Sequence, residues 1–465
     1  MKFLHRTRPE AADTPSVESA ESWVRPDPAP YIPGHGSPDY SVSHYDLTLA
    51  VRLAGNLLEG RAVITARALV PLTAVELDLT GLGLDKAAVD GVRAVKYSQR
   101  PGKLTLQLPT PLDAGREFTL DLRYSGLPEP DAGDWGEVGW EELADGVLVA
   151  GQPTGAPTWF PCNDRPDDKA SYRFTVTTDA GYTAVCNGLP VAHSRKSSRE
   201  TWVYEQLAPM ASYLATLQIG RYKVLALPSG RGGSQVPINV AVPKVLQPQA
   251  AVALARQREM MDVFTERFGP YPFPAYTVVV TGDELEIPLE SQSLSILGRN
   301  HLTTAWEAQR LIAHELSHQW FGNSLTLADW HDIWLHEGFA CYAEWLWSEE
   351  SGSQTVAERA AAAHAMLRTE AADIVIGDPG PQRMFDDRVY KRGALALEAL
   401  RAAVGDSAFF GLLREWAARN RHGSVSTECF VRLVDELCGG VSGFSAIEVL
   451  TPWLYREPLP PLPRR

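Results

Sequence analysis

The sequence predicts a multidomain α and β protein in which an antiparallel β-sheet domain precedes a mainly helical one. Three observations carry this reading. A chain of 465 residues exceeds what one compact core serves. Short runs with period-two apolar alternation, broken by Gly, Pro and Asp, continue to about Tyr222. From Gln247 onward apolar residues recur at helical spacing instead.

Residues 1–37 are rich in Pro, Ser, Glu and Ala, and "RPDPAPYIPGHGSPDY" carries five prolines, so an extended or mobile lead-in is expected. The β domain follows over residues 38–225. Its strands are "YDLTLAVRL", "GRAVITARALV", "AVELDLTGL", "KLTLQL", "EFTLDLRY", "SYRFTVTT" and "TWVYEQL", with turn residues between them and no repeat of fixed length. "GSQVPINVAVPKVL" reads as the hinge into a second domain over 226–450. There, "PQAAVALARQREMMDVFTERFG" predicts one helix stopped by Gly269. "AYTVVVTG" is a short buried strand, and "LESQSLSIL" alternates as an edge strand would. A helix through "RLIAHELSHQW", a second through "WLHEGFACYAEWLWSEE" and further helices to about Leu450 complete the domain. The tail, residues 451–465, is Pro-rich, and its stretch "REPLPPLPRR" cannot continue a helix.

Composition narrows the function. The formal charge of −14 argues against nucleic acid, whose phosphates need a basic face. No run approaches 18 apolar residues, so no membrane span is expected. The first residues lack the apolar core of a secretory signal. The five cysteines, Cys162, Cys186, Cys341, Cys429 and Cys438, fit neither a Cys-x-x-Cys site nor a dense disulfide frame. They read as reduced thiols, and the protein as cytoplasmic.

"RLIAHELSHQWFGN" places His314 and His318 four apart, hence on one helical face, with Glu315 beside them. This is the H-E-x-x-H pattern of zinc hydrolases; the bland alternative is a core helix with two hydrogen-bonded histidines. A catalytic zinc needs three protein ligands and an open position. Glu337, nineteen residues after His318, is the third candidate. Between them, Gly322 and Asn323 can end the first helix and let the chain return. His336 and His331 are rival ligands of lower rank: His336 points to a different face from Glu337, and His331 sits in the loop. Glu344, seven residues after Glu337, shares its helical face and can orient a ligating histidine.

H-E-x-x-H, eighteen residues, then Glu within "WLHEGFA" resembles the gluzincin zinc aminopeptidases of the aminopeptidase N family. Further segments resemble that family in the same order. "WFPCNDRPDDKASYRF" is similar to its F-P-C-x-D-x-P-x-x-K-A-x-F stretch, and Gln152 lies ten residues before Cys162, where the family binds the substrate amine. "IPLESQSLSIL" puts Glu290, twenty-four residues before His314, at the glutamate of the family's Gly-x-Met-Glu-Asn segment, with Ile287, Leu289 and Ser291 departing from it. "VYKRGALALEALR" is similar to V-Y-E-K-G-A and assigns Tyr390 as the catalytic tyrosine; Lys391 stands where the motif has glutamate. The resemblance covers about residues 40–450. It implies a saddle-like β domain and a thermolysin-like catalytic domain, one Zn2+ per chain on His314, His318 and Glu337, and peptide substrates with a free N-terminus.

The implied chemistry is consistent physically. Glu290, Gln152 and one oxygen of Glu337 would hold an α-ammonium by charge-assisted hydrogen bonds at a fixed distance from the metal. Glu315 would act as general base on a zinc-bound water, and Tyr390 would donate to the oxyanion. "ESQSLSIL" suits an edge strand that pairs with extended substrate backbone. Many relatives continue into a C-terminal helical domain, whereas this chain ends about 120 residues after Glu344, so an open site or one covered by a dimer mate is expected. Oligomeric state is not legible. Other readings stay open: a zinc endopeptidase on the same metal site without amine selection, an epoxide hydrolase side activity, and a binding module.

Overall fold

The computed structural model describes residues 30–93, 95–228, 235–440 and 443–462. Most of the Pro-rich lead-in, residues 1–29, and the last three residues of the tail lie outside the described residues.

The N-terminal half is built on an eight-stranded sheet. Its central strand, Tyr40–Arg52, pairs antiparallel with Leu57–Ala68 and parallel with Ala170–Asp179. That parallel pair departs from the all-antiparallel expectation. The strands are separated by more than a hundred residues, long enough for the crossover that parallel pairing requires. Along Tyr40–Arg52 the buried side chains are Tyr40 and Val42, then Tyr45, Leu47, Leu49 and Val51. The change of parity is a bulge between Val42 and His44, which turns the following side chains onto the same face.

A second, five-stranded sheet in this half includes Thr183–Cys186, Leu217–Gly220, Gly146–Ala150 and Gly136–Leu143. Its Leu148 and Val185 form one buried cluster with Tyr222, Ala241, Val279, Leu294 and Ile296 of the following half. This apolar contact joins the two halves, and Gln152 follows the strand Gly146–Ala150 that contributes Leu148 to it.

The C-terminal half also carries a five-stranded sheet, in the order Tyr222–Ala226, Ile238–Pro243, Tyr276–Val280, Leu294–Leu297, Leu289–Ser291. Two expectations change here. The stretch read as a hinge contains the strand Ile238–Pro243, paired on both sides. The stretch read as one edge strand is a hairpin: Leu289–Ser291 at the edge pairs antiparallel with Leu294–Leu297. Its two-residue turn, Gln292–Ser293, lacks Gly and Asn and puts Ser293 at φ +64°, so no turn signal interrupts the alternation.

The helices are α1 (Gln247–Ala253), α2 (Gln257–Phe268), α3 (Trp306–Ser317), α4 (Trp334–Glu350), α5 (Val356–Leu367), α6 (Asp387–Val404), α7 (Asp406–Arg419), α8 (Thr427–Cys438) and α9 (Ala446–Leu454). The single helix expected before Gly269 is thus two, broken at residues 254–256, and Gly269 closes α2 at φ +96°. α3 ends earlier than expected, with His318 as its cap; Gly322, at φ +135°, turns the chain towards α4. α4 is buried along almost its whole length and packs against α3 and α6. The five cysteines are free, and four of them are buried. Among the described residues no helix is long and apolar enough to cross a membrane.

Candidate active site

His314 and His318 lie on one face of the end of α3, buried against α4. Each imidazole commits its Nδ1 elsewhere. His314 Nδ1 is 2.8 Å from Glu344 Oε1, and His318 Nδ1 donates to the Phe321 carbonyl at 3.0 Å. Both Nε2 atoms therefore face the Glu337 carboxylate, at 3.3 and 3.6 Å from its Oε2. One ligand atom from each of the three residues lies within 4.8 Å of the others. Two imidazole nitrogens and a carboxylate oxygen, converging in a buried site with their tautomers set from behind, fit a zinc ion. The sequence left the two rivals open, and the fold separates them. His336 Nε2 accepts from the Leu327 amide at 2.9 Å, and burial pushes its pKa down to about 3. His331 bonds Asp329, and its ring lies 4.0 Å from Tyr31.

Glu344 joins α4 to α3 behind His314. The residue is 5% exposed, and its carboxylate also receives Arg310 Nη1 at 3.3 and 3.4 Å. Burial alone would raise its pKa; the His314 hydrogen bond and the nearby cations hold it below the usual range.

In front of the triad, Glu290 on the edge strand and Glu315 on α3 each bring a carboxylate oxygen into a group with His318 that spans no more than 4.8 Å. Glu315 Oε2 is buried with no hydrogen-bond partner among the described residues, and so is Gln152 Nε2. Burial pushes the Glu315 carboxyl up to about 8 and raises that of Glu290. Tyr390, on the first turn of α6, stacks at 20° to the His314 ring with centroids 6.0 Å apart. Its burial, with Glu337, Glu290 and Glu315 close by, holds the phenol well above its ordinary pKa, so it keeps its proton. Lys391 pairs with Asp387 at 2.9 Å and lies close enough to Glu344 to act on its charge.

Three polar residues around the cluster escape motif reading. Gln319, next to His318, accepts from the Ser293 amide at 2.7 Å and donates to the Ser291 carbonyl at 3.0 Å. Asn323 Nδ2 donates to the same carbonyl at 3.0 Å. Tyr213, from the N-terminal half, is buried near Glu290 and Glu337. The only signal for Gln319 and Asn323 is a pair of amides inside the apolar run after His318.

Comparison with known proteins identifies the family. Residues 41–214 match the Peptidase M1 N-terminal domain and residues 252–453 the Peptidase family M1 domain. A crystal structure of an M1 zinc metallopeptidase from Deinococcus radiodurans superposes with a TM-score of 0.85 at 33% identity, covering 93% of this chain and 98% of that one. The chain belongs to peptidase family M1. A mutant of the same Deinococcus M1 enzyme, solved with a Tyr-ser-ala substrate, matches with a TM-score of 0.85 at 32% identity and the same coverage. Aminopeptidase M1-D of Oryza sativa subsp. japonica is 24% identical over 446 residues, which are 90% of this chain and 50% of that protein. The chain spans about half the length of the curated M1 relatives it matches.

Proposed function

We propose that this M1 chain is a zinc-dependent aminopeptidase that removes N-terminal residues from peptides, with one Zn2+ held by His314, His318 and Glu337. The observation that carries the reading is the grouping of Glu290 with Glu315 and His318 beside the triad, which puts an extra carboxylate where a general base alone would suffice. Zinc bound there supplies a Lewis acid that polarises a carbonyl and makes water a nucleophile near neutral pH.

The chain's own residues divide the remaining work. Glu290, Gln152 and an oxygen of Glu337 accept hydrogen bonds from the α-ammonium, and charge-assisted bonds in a dry site are strong. That anchor admits only the first peptide bond to the reacting position. Glu315 takes the proton of the attacking water and delivers it to the leaving amine. Tyr390, protonated, donates to the developing oxyanion. Glu344 holds the His314 tautomer. The edge strand Leu289–Ser291 offers its free side to extended substrate backbone.

The test compares a leucine arylamide with its N-acetylated form, with and without a zinc chelator. Cleavage of the free amine alone, abolished by chelation and restored by zinc, supports an aminopeptidase. Equal cleavage of both would replace this reading with an endopeptidase on the same metal site.

A further inference from the structure

Lys169 immediately precedes the strand Ala170–Asp179 of the N-terminal sheet, yet its side chain ends in the catalytic half. The ammonium donates to three backbone carbonyls there: Asn323 at 3.2 Å, Ser324 at 2.9 Å and Gly423 at 3.1 Å. Asn323 and Ser324 lie on the loop that follows His318. Gly423 lies beside the short parallel pairing of Thr326–Leu327 with Ser424–Val425. Three acceptors call for three N–H donors, which only the charged form of lysine has. No carboxylate balances this ammonium in the contacts above; the carbonyl dipoles offset its burial only in part, and burial lowers its pKa to about 7.

The loop leads directly to the candidate amine anchor. Asn323 Nδ2 and Gln319 Nε2 both donate to the Ser291 carbonyl, and Gln319 Oε1 accepts from the Ser293 amide. These three bonds hold the hairpin that carries Glu290 against the end of α3. The same N-terminal half that sends Lys169 into the loop also supplies Gln152.

We propose that Lys169 is a positioning residue for the α-ammonium site: by fixing the Asn323–Ser324 loop it makes docking of the N-terminal half set the place of Glu290 opposite Gln152. This rests on the aminopeptidase reading above. Lys169 touches neither substrate nor metal; it acts through Asn323, Ser291 and the short edge strand. An edge strand of three residues with one paired neighbour has little stiffness of its own, so its position follows what holds Ser291 at one side and the turn at the other, where Gln292 Nε2 donates to the Ala208 and Pro209 carbonyls, Asn187 Nδ2 to the Gln292 carbonyl and the Gly188 amide to Ser293 Oγ.

The experiment is Lys169→Met, which keeps the apolar stem and removes the ammonium. KM and kcat are measured on the leucine arylamide, with zinc content and melting temperature alongside. The expected result is a KM raised ~10-fold or more, kcat reduced much less, and zinc content equal to wild type, the signature of lost binding that is uniform along the reaction. A lower melting temperature with unchanged KM would overturn the proposal and leave Lys169 as a fastening between domains. Asn323→Ala, alone and combined with Lys169→Met, tests the route. If Lys169 acts through Asn323, the double variant is no worse in KM than the more severe single one; additive losses would refute that route. Should Lys169→Met not fold, Asn323→Ala alone must raise KM, and a wild-type KM there would also overturn the proposal. Failure of the aminopeptidase reading shows separately, as wild-type cleavage of the N-acetylated substrate.

Discussion

Gly338 on α4 and Gly393 on α6 meet backbone to backbone. A Cβ built on Gly338 would lie 2.8 Å from the Gly393 Cα, and one on Gly393 would lie 2.8 Å from the Gly338 Cα. This contact sets how close Tyr390, three residues before Gly393, comes to Glu337, the residue before Gly338. Gly338→Ala must push the helices apart. We expect a loss of stability of about 1–3 kcal/mol from overpacking. Displacing the Tyr390 hydroxyl by about 1 Å should cost on the order of 100-fold in kcat. Thermal melting and steady-state kinetics read the two effects, and a variant with wild-type kcat would show that this crossing does not position Tyr390.

Glu290→Ala removes a carboxylate from the ammonium site and leaves the three candidate zinc ligands in place. Loss of a charge-assisted hydrogen bond predicts kcat/KM on a free-amine substrate lower by ~10- to 100-fold, with zinc content unchanged. The N-acetylated substrate should show no matching loss. Equal losses on both substrates would mean that Glu290 does not recognise the amine.

Glu315→Gln keeps the volume of the side chain and abolishes its basicity. Zinc should stay bound while kcat falls by ~100- to 10,000-fold, the range for a positioned general base. Tyr390→Phe, which removes a single donor, should cost ~100- to 1,000-fold. Retained turnover in Glu315→Gln would require a different base.

Glu344→Gln keeps a hydrogen-bond acceptor at His314 Nδ1 and removes the charge. Outer hydrogen-bond partners of ligating histidines are worth ~10- to 100-fold in metal affinity. Competition with a calibrated chelator should show zinc affinity lowered by that factor; an unchanged affinity would reduce Glu344 to a partner of Arg310.

His35 ties the start of the described chain to the N-terminal domain through Asp164, at 3.0 Å. Burial works against its charge, but the hydrogen bond and charge of Asp164, with Asp78 behind, raise its pKa above 6.5. A group whose folded pKa is raised stabilises fully below the unfolded value, about 6.5, and loses that contribution as pH climbs through the folded value. Stability should therefore decline from about pH 6.5 upward, and His35→Ala should flatten that segment of the profile. Identical slopes in the two proteins would assign the dependence to another group.

The candidate zinc triad was legible because its parts are local or nearly so. His314, Glu315 and His318 sit within one and a half turns of a helix, where spacing alone decides which side chains share a face. Glu337 and Glu344 repeat that logic on the next helix. Strand alternation was legible for the same reason, since Tyr45, Leu47, Leu49 and Val51 face the core whatever the partner strand is. The hairpin at Gln292–Ser293 was not, because Ser293 takes a left-handed conformation that its residue type does not announce.

Residue types and their spacing thus determined, by themselves, a β-rich half followed by a helical half, a metal-binding pattern on one helix and a candidate third ligand on the next. They also listed Gln152, Glu290 and Tyr390 through resemblance, without saying how any of them meets the others. Tertiary structure alone decided that Glu337, rather than His331 or His336, faces the two imidazoles, that two glycines let α6 approach α4, and that Lys169 reaches from one half of the chain into the other. Local periodicity records which face of an element is apolar; it carries no information on which distant element covers that face, and the site lies where those distant elements meet.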